Sequence, residues 1–267
     1  MSLDEPTLLP MNPRRRILWL ALVHVVGGLI PAFVAYVAGP GPSLRGAFFI
    51  GIVFSQASLL GIWTGLGSSP WWRRLLGVVL GIGYLGVLLG VCFSRLDSGT
   101  FLVVAVATTF MTTLLMLIMR LLKVAIHLGS LPVASMGRIQ FSIRHLMILT
   151  FVVACLITIG KWVQPYFTHG EILFPVLLMA VMFGLVGVLP VWFVLATKQP
   201  LLYSVGLVAV GACAGYCFAR ISTAASNEGI WMTVMATEAM AVVVSLLVVR
   251  SCGYRLVRLP PRCQRGR

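Results

Sequence analysis

Glu238 is the one acidic residue set well inside an apolar run. It follows Gly229 by nine residues, about 13 Å at the helical rise of 1.5 Å per residue, which is near the middle of a bilayer. An ionisable side chain at that depth is costly, and it marks a proton or cation site or a contact for a polar head group. The competing reading is a carboxyl hydrogen-bonded to a neighbouring helix and serving packing alone. Trp231 and Ser245 fall on the same helix face, seven residues to either side. His24 lies at comparable depth in the first apolar run, roughly 12 Å beyond Arg16. It either meets Glu238 or sits as a satisfied core histidine.

Polar uncharged side chains cluster in two other runs. Thr108, Thr109, Thr112 and Thr113 crowd one, and Ser55, Gln56 and Ser58 another. They suit a polar path through the membrane, and they suit interhelical hydrogen bonds equally well. Arg95 and Arg220 close the third and seventh runs, where they face an anionic solute or snorkel to the head groups. No P-loop, dinucleotide fingerprint, His-Glu-x-x-His or Gly-x-Ser-x-Gly is present, so the expectation is no enzyme and no catalytic residue. The six cysteines form no Cys-x-x-Cys pair and His169-Gly-Glu171 is too sparse for a metal; no disulfide framework, metal or cofactor is expected.

The elements that must carry these residues follow from composition. The chain has 267 residues, 60% hydrophobic and 10% charged, with mean hydropathy +1.03. A soluble domain carries about 25% charged residues, so the solvent of this chain is lipid. Twenty Lys and Arg against six acids give a net charge of +14. Placed between apolar runs, that charge sets topology and meets anionic lipid head groups; nucleic acid is not expected as a partner.

Eight apolar runs follow a polar tail over residues 1–13: 16–38, 44–67, 73–94, 100–122, 145–163, 171–196, 201–220 and 229–250. Each is long enough for a helix across a hydrocarbon core about 30 Å thick. The first follows Arg14-Arg15-Arg16 and is read as a retained span, being too long for a signal peptide. Their lack of period-two alternation argues against a barrel. With the amino terminus inside, sixteen basic residues fall on the cytoplasmic side and four on the far side, so both termini are placed in the cytoplasm.

The second half of the chain reads as a repeat of the first, the competing reading being chance similarity between glycine-rich apolar segments. Gly90-Val-Cys92-Phe93-Ser-Arg95 matches Gly215-Tyr-Cys217-Phe218-Ala-Arg220, with Gly86 on Gly211 and Gly81 on Gly206. Ala107-Thr108 through Met111 matches Ala236-Thr237 through Met240, and Trp63 matches Trp192. Four spans per unit is even, so the copies run parallel about an axis along the membrane normal. Residues 14–122 form the first four-helix unit and 145–250 the second. Residues 123–144 form a cytoplasmic linker, and 251–267 a basic tail. The Gly86/Gly90 and Gly211/Gly215 pairs favour close helix packing and place spans three and seven at the centre of the bundle.

At the hinge between the units, Gln140-Phe-Ser-Ile-Arg144-His-Leu-Met-Ile-Leu-Thr150 resembles a motif of planctomycete integral membrane proteins in which Phe-Ser-Leu-Arg precedes a membrane span. Here Ile143 stands for Leu and His145 for a usual Thr. The resemblance covers about twenty residues and implies a bacterial inner-membrane setting and no particular activity. Arg144 anchors the cytoplasmic end of the fifth span.

The expected architecture is therefore all-α: eight transmembrane helices in two parallel four-helix repeats. The leading function is a small-solute or ion transporter-like component, with Glu238, His24, Thr108, Thr109 and Ser245 as its polar site. The rival is a non-catalytic membrane scaffold or assembly subunit, with a membrane protein or a second copy as partner. Topology reporters fused at Ser98 and Ser226 should both read out on the far side of the membrane; a cytoplasmic signal at both would reverse the orientation.

Overall fold

Backbone N–H and C=O groups find no partner in hydrocarbon, so an apolar run of membrane length must close its hydrogen bonds within itself. The computed structural model, which describes residues 19–30, 44–67, 70–92, 98–121, 124–128, 170–197, 199–221 and 227–258, shows that outcome. A short helix α1 covers Trp19–Ile30. Six helices of membrane length follow: α2 Leu44–Leu66, α3 Trp71–Cys92, α4 Ser98–Leu121, α5 Gly170–Ala196, α6 Pro200–Ile221 and α7 Glu228–Ser251. The chain is thus a multi-pass membrane protein by helix length and composition. α1 takes up part of the first expected span; the fifth, 145–163, lies outside the described residues, as do Arg95 and Arg144.

Local chemistry sets the helix ends. Pro200 opens α6, a position where a missing N–H costs nothing. The Pro70 carbonyl accepts the first N–H bonds of α3, from Arg73 and Arg74. At the other ends, arginines satisfy orphan carbonyls. Arg74 donates to the Thr64 carbonyl in the last turn of α2 at 2.8 Å. Arg250 donates to the Thr197 carbonyl just past α5 at 2.6 Å, and to that of Val194.

α2, α4, α5 and α7 run in one direction and form the core. Gly61 and Gly65 of α2 lie against Thr112 and Met116 of α4. Phe54 of α2 stacks on Phe183 of α5, ring centroids 4.2 Å apart. Four residues further along both helices, Ser58 meets Gly187. The Phe54–Phe183 and Ser58–Gly187 pairs are each separated by 129 residues in sequence. α1, α3 and α6 run the opposite way around this core.

Beyond α4 and α7 the chain forms two short strands, β1 Val124–Leu128 and β2 Tyr254–Arg258, paired antiparallel with Ile126 opposite Leu256. The linker and the basic tail therefore open as one ribbon on the face where α2, α4, α5 and α7 end. Periodicity does not announce it, because five residues at the edge of a long apolar run carry too little pattern.

The structure corrects one expectation about the bundle. Spans three and seven, here α3 and α6, are peripheral: 17% and 22% of their membrane windows are buried, against 44–61% for α2, α4, α5 and α7. Leu75, Leu76, Val79 and Leu80 of α3 and Leu201, Leu202 and Val205 of α6 face outward, where only lipid suits them. The glycine pairs fix one face of a helix, not its place in the bundle. A Cβ on Gly211 would stand 2.7 Å from the Met235 carbonyl, and one on Gly215 2.2 Å from that of Trp231. Both lock α6 onto α7 alone.

Gly215→Val should accordingly lower stability by about 1–3 kcal/mol through overpacking. Gly206→Val, with open space around it, should be near neutral. Thermal unfolding in detergent measures both.

Candidate functional site

Besides Ser245, the buried polar side chains among the described residues are Ser55, Ser58, Thr108, Thr109, Thr112, Thr237 and Glu238. They come from α2, α4 and α7 and gather in the core. Glu238 is fully buried, the eleventh residue of the 24 in α7, about 15 Å along the axis. Its Oε1 accepts a 2.6 Å hydrogen bond from Ser58 Oγ of α2. Its Oε2 has no hydrogen-bond partner among the described residues.

α5 supplies room for this contact by withholding side chains. A Cβ on Gly187 would lie 2.6 Å from Ser58 Oγ and 3.8 Å from Glu238 Oε1. One turn away, a Cβ on Gly184 would lie 3.8 Å from Thr112 Oγ1. Glu238, Ser58 and Thr112 therefore approach one glycine face of α5 from three different helices. The Thr108 and Thr112 hydroxyls are also buried without partners among the described residues. Thr109 differs, its hydroxyl lying 2.9 Å from its own Ala105 carbonyl and 3.3 Å from Ala57 of α2; it ties helices together. Buried polar atoms in native proteins are nearly always satisfied, and orphans mark water, an ion or a functional group.

His24 and Ser245, expected beside Glu238, form a separate polar group. His24 Nε2 is 2.8 Å from Ser245 Oγ, and its Nδ1 is 2.9 Å from the Leu20 carbonyl. Ser245 Oγ also reaches the Ala241 carbonyl at 2.6 Å. Gln56 Nε2 donates to the His24 carbonyl at 2.9 Å, and Tyr84 OH to that of Val25 at 3.0 Å. These bonds hold α1 to α2, α3 and α7. Gly28 makes the approach possible, since a Cβ there would fall 2.6 Å from Tyr84 OH. His24 does not pair with Glu238: among the described residues the single ion pair is Arg220–Glu228, 3.4 Å, at the opposite end of α7. Arg220 is largely exposed and lies over the Tyr216 ring, which fits a residue at the membrane boundary.

Around this second group lies a cavity of about 520 Å³ between α1, α2, α3 and α7. Gln56 and Tyr84 line it together with His24 and Ser245; Trp63 and Tyr254 lie toward the ribbon face. Sequence reasoning named Gln56 with Ser55 and Ser58 for a polar path or interhelical hydrogen bonds but passed over Tyr84, which gave no signal, being ordinary in a membrane helix. Among the described residues no three His, Cys, Asp or Glu side chains gather to hold a metal.

Searches with the whole chain matched no family model, no curated protein and no solved structure.

Ser58→Ala should cost about 1–3 kcal/mol by leaving Oε1 unpartnered, whereas adding Glu238→Met should restore most of that loss. A double-mutant cycle on thermal unfolding in detergent reads the coupling directly.

Proposed function

We propose that this protein is a transporter-like membrane component that handles a proton or a small monovalent cation at Glu238. The observation that carries the reading is a fully buried carboxyl at the meeting of parallel helices, with one of its oxygens unpartnered among the described residues. The Thr108 and Thr112 hydroxyls add acceptor oxygens of the kind that hard monovalent ions prefer over nitrogen or sulfur. Intramembrane carboxyls of this kind line proton relays and ion pathways.

The architecture proposed with it is two parallel units related by an axis along the membrane normal. Its supports are the cross-pairs Phe54–Phe183 and Ser58–Gly187 at one common sequence spacing, and the ribbon pairing Ile126 with Leu256, 130 residues apart. Glu238 then corresponds to Thr109, so the two units carry different chemistry at matching positions. α4 ends at the ribbon face and α5 begins at the opposite one. The proposed count of eight crossings includes the apolar run 145–163, which has the length for one. The basic bias then puts both termini and the ribbon in the cytoplasm of a bacterial inner membrane, with Arg144 and Arg220 at the head groups.

A non-catalytic scaffold is the second reading. The closeness of the core favours it, since Gly51, Gly61 and Gly65 each leave less than the space of a methyl group before the next helix.

Liposomes holding the purified protein and a pH-sensitive dye separate the two. Proton flux, or cation-coupled flux across an ion panel, is expected with wild type and should fall at least tenfold in Glu238→Gln. Absent flux for every ion and solute tried, with unchanged stability of the variant, would leave the scaffold.

A further inference from the structure

His24 is half-buried where α1 meets α2, α3 and α7, and it borders the cavity that extends to Gly67 and Tyr254 at the ribbon face. Its ring and Ser245 make three close polar contacts. Nδ1 lies 2.9 Å from the Leu20 carbonyl, Nε2 lies 2.8 Å from Ser245 Oγ, and Ser245 Oγ lies 2.6 Å from the Ala241 carbonyl. All are of hydrogen-bond length, so each requires a hydrogen between its two atoms. The two carbonyls can only accept, which leaves the ring and the hydroxyl to supply all three hydrogens.

A neutral imidazole and a serine hydroxyl together carry two such hydrogens. One must sit on Nδ1, facing the Leu20 carbonyl. The other, on Ser245 Oγ, turns either to Nε2 or to the Ala241 carbonyl, and the contact it leaves sets lone pair against lone pair. Shared between the two, it serves both at poor angles. An imidazolium carries a hydrogen on each nitrogen. Nε2–H then donates to Ser245 Oγ, the hydroxyl donates to Ala241, and all three contacts are filled. The bond gained is charge-assisted, roughly twice as strong as a neutral one.

The groups around the ring leave this balance undisturbed. On α2, Gln56 donates to the backbone carbonyl of His24, and on α3 Tyr84 donates to that of Val25. On α7, Glu238 stands two turns from Ser245 with its Oε1 on Ser58, and Arg250 donates to the carbonyls of Val194 and Thr197. Arg74 of α3 donates to the Thr64 carbonyl, eight residues along α2 from Gln56, about 12 Å. Among the described residues no Asp, Glu, Lys or Arg lines the cavity, and Tyr254 lies at its far end.

We propose that His24 is a proton-binding site, taking its proton at Nε2, and that the Ser245 hydroxyl reverses direction when the proton arrives. In the neutral form the hydroxyl donates to Nε2. When the Nε2–H bond forms, the hydroxyl rotates to the Ala241 carbonyl and its oxygen becomes the acceptor. The proton is taken from hydronium in the medium, which leaves water, and no other bond is made or broken. α1 is thereby held to α7 more firmly in the protonated form. The site is separate from Glu238 and does not depend on flux through the core.

The test uses the full chain in phosphatidylcholine liposomes, with isotope-labelled histidine ring nitrogens and alanine carbonyls. Solid-state NMR follows both labels from about pH 9 to about pH 4, a range that spans the titration of free imidazole. The signals of His24 and Ala241 are those lost in His24→Gln and Ala241→Gly. At the basic end the His24 ring should carry its hydrogen on Nδ1, with Nε2 bare. On acidification Nε2 should gain a hydrogen, and the Ala241 carbonyl signal should move in step with it. Ser245→Ala should abolish that carbonyl response. A ring with its hydrogen on Nε2 at the basic end would overturn the proposal, as would a ring still neutral at about pH 4. So would an Ala241 carbonyl that ignores the ring in wild type, or one that still follows it in Ser245→Ala. The wild-type titration decides by itself should that variant not fold.

Discussion

The hydrogen bond from Ser58 to Glu238 is the contact on which the arrangement of the core helices turns. A carboxyl buried in hydrocarbon must find polar partners inside the protein, because neither lipid nor bulk water supplies them. Ser58 provides one from α2. The pairing is possible only because α5 presents Gly187, and not a larger side chain, beside both groups. Three helices are thereby held at one level near the middle of the membrane. Next to them the stacked rings of Phe54 and Phe183 bring α2 and α5 together over an apolar contact. Polar satisfaction fixes which helices meet, and close packing fixes how near they come.

The two halves use this core unequally. In the second, Gly211 and Gly215 put the backbone of α6 directly on α7. In the first, Gly86 would place a Cβ 3.7 Å from Leu102 of α4, ordinary contact, and Gly90 meets nothing within 4 Å among the described residues. The same glycine spacing thus gives a tight pair on one side and a loose one on the other. α3 instead leans on α2, where Gly77 and Gly81 receive Trp63 and Leu60. Between α3 and α7, α1 is tied in by hydrogen bonds to its own carbonyls, and the cavity forms behind it. Matching motifs need not make matching neighbours, because helix association in lipid depends on the whole facing surface.

Much of the fold is legible in the residues. The ends of α2 through α7 fall within two residues of the apolar runs, since a hydrocarbon solvent leaves few alternatives to a helix of that length. Glu238 was legible for the same reason: a carboxyl in such a run stands out. Its partner was not. Ser58 is one of several hydroxyls in its helix, and nothing in local spacing selects it over Ser55, which turns back to its own Ile52 carbonyl at 2.7 Å. Ser245 shares a helix face with Glu238 yet bonds to His24, because different helices cover that face at the two levels.

The amino-acid sequence alone determined the solvent, the limits of α2 through α7, and the depth at which Glu238 sits. These follow from hydropathy and the fixed rise of a helix, which act within a single segment. Only the tertiary structure decided that α3 and α6 lie outside, that Ser58 and Gly187 meet Glu238, and that Gln56 and Tyr84 border a cavity with His24. Those outcomes depend on which faces of separate helices come together. Each is settled by shape and hydrogen bonding across residues up to 221 positions apart, a range that periodicity does not reach.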